Sequence, residues 1–264
     1  MKKIIIIFQW IILSLFIACT VYAQSISPRV IASLGAYQVN AIGSLSFTVG
    51  ETNTQTLTSA SHILTQGFQQ PIEINLLHVR AFLQGFYLGA EQMTDVLYNQ
   101  GVYLNPSNVA DSITLELHDA ITPSTILFGT KSTLKQDGSI SVKGLGVVGQ
   151  SYYLVIKHRN SISVWSSTPV LLSNVTTYDF TTQASMAYGA NQAEVEPGIW
   201  ALYSGDINQD DIVDVFDYLT LEPDIVNGSF GYLHTDTNGD GAVDIFDFLI
   251  LEGNLINGIG AATP

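Results

Sequence analysis

The sequence predicts a mainly β protein that carries a small α-helical segment at its C-terminal end. Short stretches rich in Val, Ile, Leu and Thr alternate with Gly-, Asn- and Ser-containing turns up to about residue 203, a spacing typical of a β-sandwich. Beyond that point an acidic unit is written twice, with Asp206 of the first copy aligned to Asp236 of the second. We therefore expect an export signal at residues 1–23, a small N-terminal β segment at 24–72, a β-sandwich domain at 73–203 and a repeat pair at 204–264.

The first 23 residues have the features of an export signal. A charged start precedes an apolar run from Ile4 to Ala18, and Val21 and Ala23 form a small-residue cleavage site. A retained membrane anchor is one alternative, but the run is shorter than the roughly 20 apolar residues of a spanning helix. Lipoprotein processing at Cys19 is another alternative. We expect a secreted or cell-surface protein with no membrane span after signal cleavage.

The chain is strongly acidic, with a formal net charge of −14. Loss of Lys2 and Lys3 with the signal leaves 7 basic residues against 23 acidic ones, and no Lys or Arg follows Arg159. This balance argues against nucleic acid as a partner, because phosphates require a basic footprint. Cys19 is the only cysteine, so the mature chain has no disulfide, and bound metal is a candidate stabiliser.

The N-terminal β segment is predicted to contain four short strands. They are Val30–Tyr37, Ser44–Val49, Thr54–Ser59 and His62–Thr65. The patterns at Ser44–Glu51 and Leu64–Pro71 resemble a segment found near the start of many secreted bacterial proteins. That resemblance implies no activity.

The next segment is predicted to be an immunoglobulin-like β-sandwich. Its candidate strands are Leu77–Phe86, Thr94–Tyr98, Ser112–His118, Thr125–Phe128, Ser139–Lys143, Tyr152–His158, Ser163–Trp165, Pro169–Leu172, Thr177–Phe180 and Ile199–Tyr203. The alternation is clearest in Ser112–His118, where Ile113, Leu115 and Leu117 share one face. No helix of useful length is evident before Asp214.

Two loops of this segment tempt a functional interpretation. Gly144–Gly149 matches the dinucleotide fingerprint GxGxxG, but that motif needs a helix after it, and a strand begins by Tyr152 instead. The stretch therefore indicates a Gly-rich turn. Lys157–Ser161 gathers polar groups, and we expect it to be a hairpin turn rather than a ligand site.

Catalytic signals are weak. Glu194 and Glu196 are expected in a loop and Glu116 on a polar strand face, but nothing selects a pair of carboxylates for glycoside hydrolysis. The aromatic residues Tyr87, Tyr98, Trp165, Tyr188 and Trp200 are either a sugar-stacking platform or core, and core is the usual role. We expect the protein not to be an enzyme.

The repeat has the ligand spacing of an EF-hand-type calcium loop. In each copy, side-chain oxygens occupy positions 1, 3, 5, 9 and 12, and a backbone carbonyl is expected at position 7. The predicted ligands are Asp206, Asn208, Asp210, Ile212, Asp214 and Asp217 in the first loop, and Asp236, Asn238, Asp240, Ala242, Asp244 and Asp247 in the second. The sequence therefore predicts two bound Ca²⁺ ions.

The two copies depart from an ordinary EF-hand in informative ways. Both close with Asp at position 12, where a bidentate Glu is usual. Position 6 needs a sharp turn and is Gly241 in the second loop but Asp211 in the first. We therefore predict that the first site is weaker. Val213 and Val243 at position 8 are expected to pair the two loops through a short β-bridge.

Each loop leads into a predicted short helix, Val215–Leu221 or Ile245–Leu251, and no helix precedes either loop. This arrangement resembles the dockerin type I family, whose members bind cohesins and attach secreted, often polysaccharide-degrading, proteins to a scaffold. The resemblance implies a cohesin-like or cell-surface protein as partner. Positions 10 and 11 are small and polar in many cohesin-binding dockerins but are Val215-Phe216 and Ile245-Phe246 here. We expect these large apolar residues to pack inward.

Three hypotheses follow from the sequence. The first is a secreted non-catalytic modular protein that binds two calcium ions for attachment or assembly in polysaccharide utilisation. In that case, chelation is expected to unfold the segment after Gly205 and leave the sandwich intact. The second is a β-sandwich adhesin that binds a carbohydrate or a surface, with calcium as structural stabiliser. The third is a glycoside hydrolase, which needs a cleft with two carboxylates.

Overall fold

A computed structural model describes residues 74–102 and 108–264, together with the backbones of four short strands nearer the N-terminus. The chain divides into two compact units, Met1–Ile72 and Glu73–Pro264. The predicted export signal at residues 1–23 lies outside the described residues. Among the described helices, none combines the length and the apolar composition needed to cross a membrane.

The N-terminal unit contains two antiparallel strand pairs. Strand β1 (Leu34–Val39) pairs with β2 (Ser44–Val49), and β3 (Thr56–Thr58) pairs with β4 (Ile63–Thr65). These pairs match the four predicted strands, although residues 30–33 of the first prediction lie outside the described residues.

The second unit is built on two β-sheets. In the smaller sheet, β5 (Leu76–Arg80) lies between β10 (Ser139–Lys143), which is antiparallel to it, and β14 (Val175–Asp179), which is parallel. The larger sheet has the order β12 (Ser161–Trp165), β11 (Ser151–His158), β8 (Val109–Asp119) and β9 (Ile126–Lys135), with β13 (Val170–Leu171) also paired to β11. Two small hairpins complete the described strands: β6 (Tyr87–Gly89) with β7 (Gln92–Met93), and β15 (Ala193–Glu196) with β16 (Ile199–Ala201).

The main core lies between these sheets. Ile113, Leu115 and Leu117 of β8 are buried on one face, as their alternation predicts, and they belong to the same cluster as Leu77 and Val79 of β5. Burial of apolar area from both sheets is the main stabilising contribution to such a layered fold. The central domain is therefore a β-sandwich, and the Gly144–Gly149 stretch is the loop between β10 and β11, as predicted.

Three local predictions were wrong. Residues 94–98 do not form a strand, because Val96–Asn99 is a single helical turn, α1, in which the adjacent residues Val96 and Leu97 are both buried. The predicted strand Leu77–Phe86 ends at Arg80 and turns inward. Glu194 and Glu196 lie in β15 rather than in a loop. Adjacent buried residues do not fit the two-residue period of a half-buried strand, which explains the error at α1.

The C-terminal segment contains two loop-and-helix units. Helices α2 (Val215–Asn227) and α3 (Ile245–Ile256) begin where predicted and continue beyond the predicted ends. Helix α2 continues through Pro223 and is capped by Gly228, whose φ of 57° is the left-handed conformation common just after a helix. A second apolar cluster joins both loop-and-helix units to strand β12 of the sandwich. It consists of Ile162, Ile207, Val213, Leu221, Val243 and Leu251.

Candidate metal-binding loops

Alternate side chains of the first loop turn inward and accept backbone hydrogen bonds. The two carboxylate oxygens of Asp206 accept from the N–H groups of Asp210 and Asp211, each at 3.1 Å. Asn208 Oδ1 accepts from Asp210 N at 2.9 Å, and Asp210 Oδ1 accepts from Ile212 N at 3.1 Å. The loop backbone is therefore folded around the side-chain oxygens at positions 1, 3 and 5.

The second loop repeats this pattern. Asp236 Oδ2 accepts from Gly241 N at 3.1 Å. Asn238 Oδ1 accepts from Asp240 N at 2.8 Å, and Asp240 Oδ1 accepts from Ala242 N at 2.9 Å. Because the matching positions make matching bonds, the repeat in the sequence is also a repeat in local structure.

The aspartate at position 12 reaches back across its own loop. Asp217 Oδ1 accepts from the N–H groups of Ile207 and Asn208 at 2.7 and 3.0 Å, and its Oδ2 accepts from Asp214 N at 2.8 Å. Asp247 makes the equivalent bonds in the second loop. The same carboxylate completes a capping box at the start of the following helix. Asp at position 12 therefore contacts both the start of its loop and the start of its helix.

Position 6 differs between the loops as the sequence predicts. Asp211 has a φ of 67° and Gly241 a φ of 89°, so both occupy the left-handed region, which is unfavourable for Asp. Asp211 is held there by contacts beyond its own loop. Its carboxylate accepts from Ser163 N of β12 at 2.9 Å, and its carbonyl accepts from Ala261 N at 2.7 Å.

The predicted β-bridge between Val213 and Val243 was wrong. Val213 N donates to Ile259 O at 2.8 Å, and Val243 N donates to Ser229 O at 2.9 Å. Both valines are buried in the second apolar cluster. Each loop is thus closed by a neighbouring chain segment, and the two loops meet through side-chain packing.

Burial and mutual repulsion act on the acidic positions of both loops. Asp206 and Asp217 are almost fully buried, as are Asp236 and Asp247. Burial, together with the nearby charge of Asp217, raises the pKa of Asp206 to about 7. Burial also raises the pKa of Asp247 to about 6, with a smaller contribution from the charge of Asp236. The pKa values of Asp217 and Asp236 are raised mainly by burial as well. Such crowded carboxylates require protons or a cation for neutralisation.

The donor set of each loop suits a hard cation. Carboxylate, amide and backbone oxygens at this spacing match calcium, whereas sites for softer metals use thiolate or imidazole. Over residues 74–102 and 108–264, no three His, Cys, Asp or Glu side chains already converge as a metal centre.

The apolar residues at positions 10 and 11 do not pack inward, contrary to the prediction. Val215, Phe216, Ile245 and Phe246 are between 53% and 61% exposed. In each helix the buried side is set by the position-12 aspartate and the leucine four residues later, as with Asp217 and Leu221 in α2. The residues just before the aspartate consequently face solvent. Leu219 and Leu249 extend the same exposed faces.

The sequence did not single out Asp111, which forms a buried polar cluster at the junction with the second loop. Its Oδ2 accepts from Arg159 Nε at 3.0 Å, and its Oδ1 accepts from the hydroxyl of Tyr232. His158 Nε2 lies 3.1 Å from Oδ2, close enough for a charge interaction although not aligned as a hydrogen bond. Arg159 also donates to the carbonyl of Leu233 just before the second loop.

The charges of this cluster control the pKa of Asp111. Burial alone would raise that pKa, but the contact with His158, the charge of Arg159 and the Tyr232 hydrogen bond hold it well below its usual value. The signal in the sequence was the polar run Lys157–Ser161, which covers the end of β11, the turn at residues 159–160 and the first residue of β12, as expected for a hairpin turn. Its partners on β8 and near the second loop are distant in sequence and could not be identified from it.

Several residues considered in the sequence as catalytic or sugar-stacking candidates make contacts within the sandwich domain. Glu116 Oε2 lies 2.9 Å from His118 Nε2 and 3.3 Å from Lys157 Nζ, and Glu196 Oε2 accepts from the Tyr87 hydroxyl at 2.7 Å. Trp165 is buried, so it cannot belong to an exposed stacking platform. A polar cleft of about 390 Å³ lies between the larger sheet and the first loop; its lining includes Thr114, Glu116, Lys131, Lys157, Ser163 and Asp211.

No protein-family model matches the chain, and no curated protein matches it. Two solved structures that resemble it are mutants of a type II cohesin–X-dockerin complex from Acetivibrio cellulolyticus. The N-terminal interface mutant is 14% identical, covering 69% of this chain and 95% of the matched chain, with a TM-score of 0.41. The C-terminal interface mutant is 13% identical, covering 70% and 97%, with a TM-score of 0.42.

Proposed function

We propose that the two C-terminal loops bind one calcium ion each, through the ligands predicted from the sequence. The observation that carries this proposal is the burial of Asp206, Asp217, Asp236 and Asp247 in two loops with the same hydrogen-bond pattern. A buried carboxylate without a cation is costly. Calcium would neutralise both clusters and add stability, because its ligands converge only in the folded state.

We further propose that the calcium-loaded segment docks a cohesin-like or cell-surface protein. Each helix presents an exposed apolar face, which contains Val215, Phe216 and Leu219 in α2 and the matching Ile245, Phe246 and Leu249 in α3. Contiguous exposed apolar residues on a soluble protein commonly mark an interaction surface. The duplication of this face in both units supports a docking role over incidental exposure.

The chain would then be a secreted non-catalytic modular protein, retained or assembled outside the cell through its C-terminal segment. Function is inferred from a site rather than from a fold. A role in polysaccharide utilisation therefore rests on the resemblance of the two loops to dockerins and not on the β-sandwich. The cleft between the larger sheet and the first loop favours a second candidate, in which the sandwich binds a polar saccharide and calcium only stabilises it.

Calorimetric titration of calcium into the full mature chain tests the metal proposal. The wild type should bind two ions, and Asp206→Ala and Asp236→Ala should each retain one, because each removes the position-1 ligand of one loop. Circular dichroism confirms that each variant is folded before titration. A wild-type chain that binds no calcium, or keeps two sites in both variants, would rule the proposal out. Magnesium serves as the control ion, since its strict octahedral geometry suits these loops less well.

A further inference from the structure

The second calcium loop receives a hydrogen bond from a side chain of the sandwich. Gln100, which follows helix α1, donates from Nε2 to Asp236 Oδ2 at 2.7 Å. Asp236 is the position-1 residue of the loop. The bond joins positions that are 136 residues apart in the chain, so no local sequence pattern could reveal it.

The other polar atom of the same amide is Oε1. Gln100 Oε1 is buried and has no hydrogen-bond partner among residues 74–102 and 108–264, which the structure describes. Burial of an unpaired carbonyl oxygen is unfavourable. This orientation of the amide is maintained by the bond from its Nε2 to the Asp236 carboxylate.

The loop backbone is also seated on the sandwich. Asn160 Nδ2 donates to the carbonyl of Asp236 at 2.9 Å. A methyl group on Gly85 would collide with the carbonyl oxygen of Thr237, and one on Gly239 would collide with Val96. The register of the loop on the sandwich is thus fixed on either side of the bond from Gln100.

The first loop provides an internal contrast. The carboxylate of Asp206 accepts hydrogen bonds from backbone N–H groups of its own loop, at Asp210 and Asp211. That loop reaches the sandwich through other residues: Asp211 accepts from Ser163 N, and Gln209 donates to His158 O at 3.0 Å. In the residues that the structure describes, only the second loop has its position-1 carboxylate bonded by a side chain of the sandwich.

We propose that Gln100 is a positioning residue of the second calcium site, so that this site is built jointly by the repeat and the sandwich. The inference rests on the proposed calcium function. By donating to Oδ2, the amide fixes the plane of the Asp236 carboxylate and leaves its remaining lone pairs for a ligand. Groups that orient metal ligands in this way typically change metal affinity by about 10–100-fold when they are removed.

The test compares Gln100→Met with Gln100→Ala in the Asp206→Ala background, where only the second site remains. Met keeps the length and most of the packing of Gln but cannot donate, so it isolates the hydrogen bond. Both variants should weaken calcium binding by about 10–100-fold in calorimetry. Gln136→Met is the matched control, because that half-buried amide donates to the carbonyl of Met93 and should leave the affinity unchanged.

A second readout separates positioning from general destabilisation. If Gln100 couples to the site, calcium must reciprocally stabilise the bond, and hydrogen exchange at residues 96–101 should slow on calcium addition in the wild type. That protection should be lost in Gln100→Met, while the first site, measured in the Asp236→Ala background, keeps its affinity with and without the Gln100 change.

The outcomes distinguish the two proposals. If the wild type binds no calcium, the proposed metal function is itself wrong. Two sites in the wild type, with unchanged second-site affinity in a folded Gln100→Met variant, overturn the positioning role and leave the metal function standing. Equal weakening of both sites would also overturn it, because the contact reaches only Asp236.

Discussion

The carboxylate of Asp211 and the backbone N–H of Ser163 are joined by a 2.9 Å hydrogen bond between the first loop and strand β12. This bond explains how a residue with a Cβ is retained at the sharp turn of position 6, where its φ is 67°. Left-handed backbone costs roughly 1–2 kcal/mol for a residue other than glycine. The bond to Ser163 offsets part of that cost and ties the loop to the sandwich.

Two substitutions of Asp211 separate the backbone strain at this residue from its hydrogen bond to Ser163. Asp211→Ala keeps the unfavourable φ and loses the bond, whereas Asp211→Gly loses the bond and relieves the strain. We expect the alanine variant to be about 1–2 kcal/mol less stable than the glycine variant in urea unfolding with calcium present. Equal stabilities would show that the backbone at this position is unstrained.

The first calcium site should be the weaker of the two. It has the strained position 6, whereas the second loop has Gly241 and the additional bond from Gln100. Calorimetry on Asp236→Ala reports the first site alone, and Asp206→Ala reports the second. A lower affinity in Asp206→Ala than in Asp236→Ala would contradict this ranking.

Chelation should destabilise residues 73–264 as one cooperative unit, rather than the segment after Gly205 alone. Ile162 of β12 belongs to the apolar cluster of the repeat, and residues 73–264 form one compact unit. Calcium at 100 times its dissociation constant adds about 2.7 kcal/mol per site. Thermal unfolding followed by far-ultraviolet and tryptophan signals should therefore shift together on chelation. Two separate transitions would support the independent segment expected from the sequence.

Asp111 should make the protein acid-sensitive. Its folded-state pKa is held below the unfolded value, so its stabilisation is present above about pH 4 and is lost as the pH falls below that value. Asp111→Asn should cost about 3–5 kcal/mol at pH 7, because it leaves the buried part of Arg159 without its carboxylate. The loss of stability between pH 4 and pH 2, measured by urea unfolding, should be smaller in the variant. An unchanged acid profile would remove Asp111 as its cause.

Introducing negative charges on the exposed apolar faces of α2 and α3 should abolish docking without affecting calcium binding. We expect Phe216→Asp combined with Phe246→Asp to remove binding to a panel of cohesins or to the cell surface, while both calcium sites remain. Ile121→Asp is the control, because Ile121 is 90% exposed on the sandwich. Binding that survives the double variant, or is lost equally in the control, would place the partner surface elsewhere.

The sequence could predict what depends on local spacing. The alternation at Ile113, Leu115 and Leu117 identified a buried strand face, and the repeat correctly located the starts of both helices. The inward packing of Phe216 and Phe246 was predicted wrongly, because their apolar character suggests burial, whereas the side of each helix that carries the position-12 aspartate is the buried one. The contacts Gln100–Asp236 and Asp111–Arg159 join distant segments and needed the three-dimensional fold.

The close approach of Gly85 to the carbonyl oxygen of Thr237 has a practical consequence for protein engineering. A tag made of residues 204–264 and fused to another carrier protein would lack Gly85, against which the second loop packs. It would also lack the amide of Gln100 and strand β12, which contact the two loops. Such a graft should express poorly or demand far more calcium than the parent chain, whereas transplanting residues 73–264 together should preserve it. The smallest unit that can be transferred with its calcium sites intact is therefore larger than the repeat pair at residues 204–264.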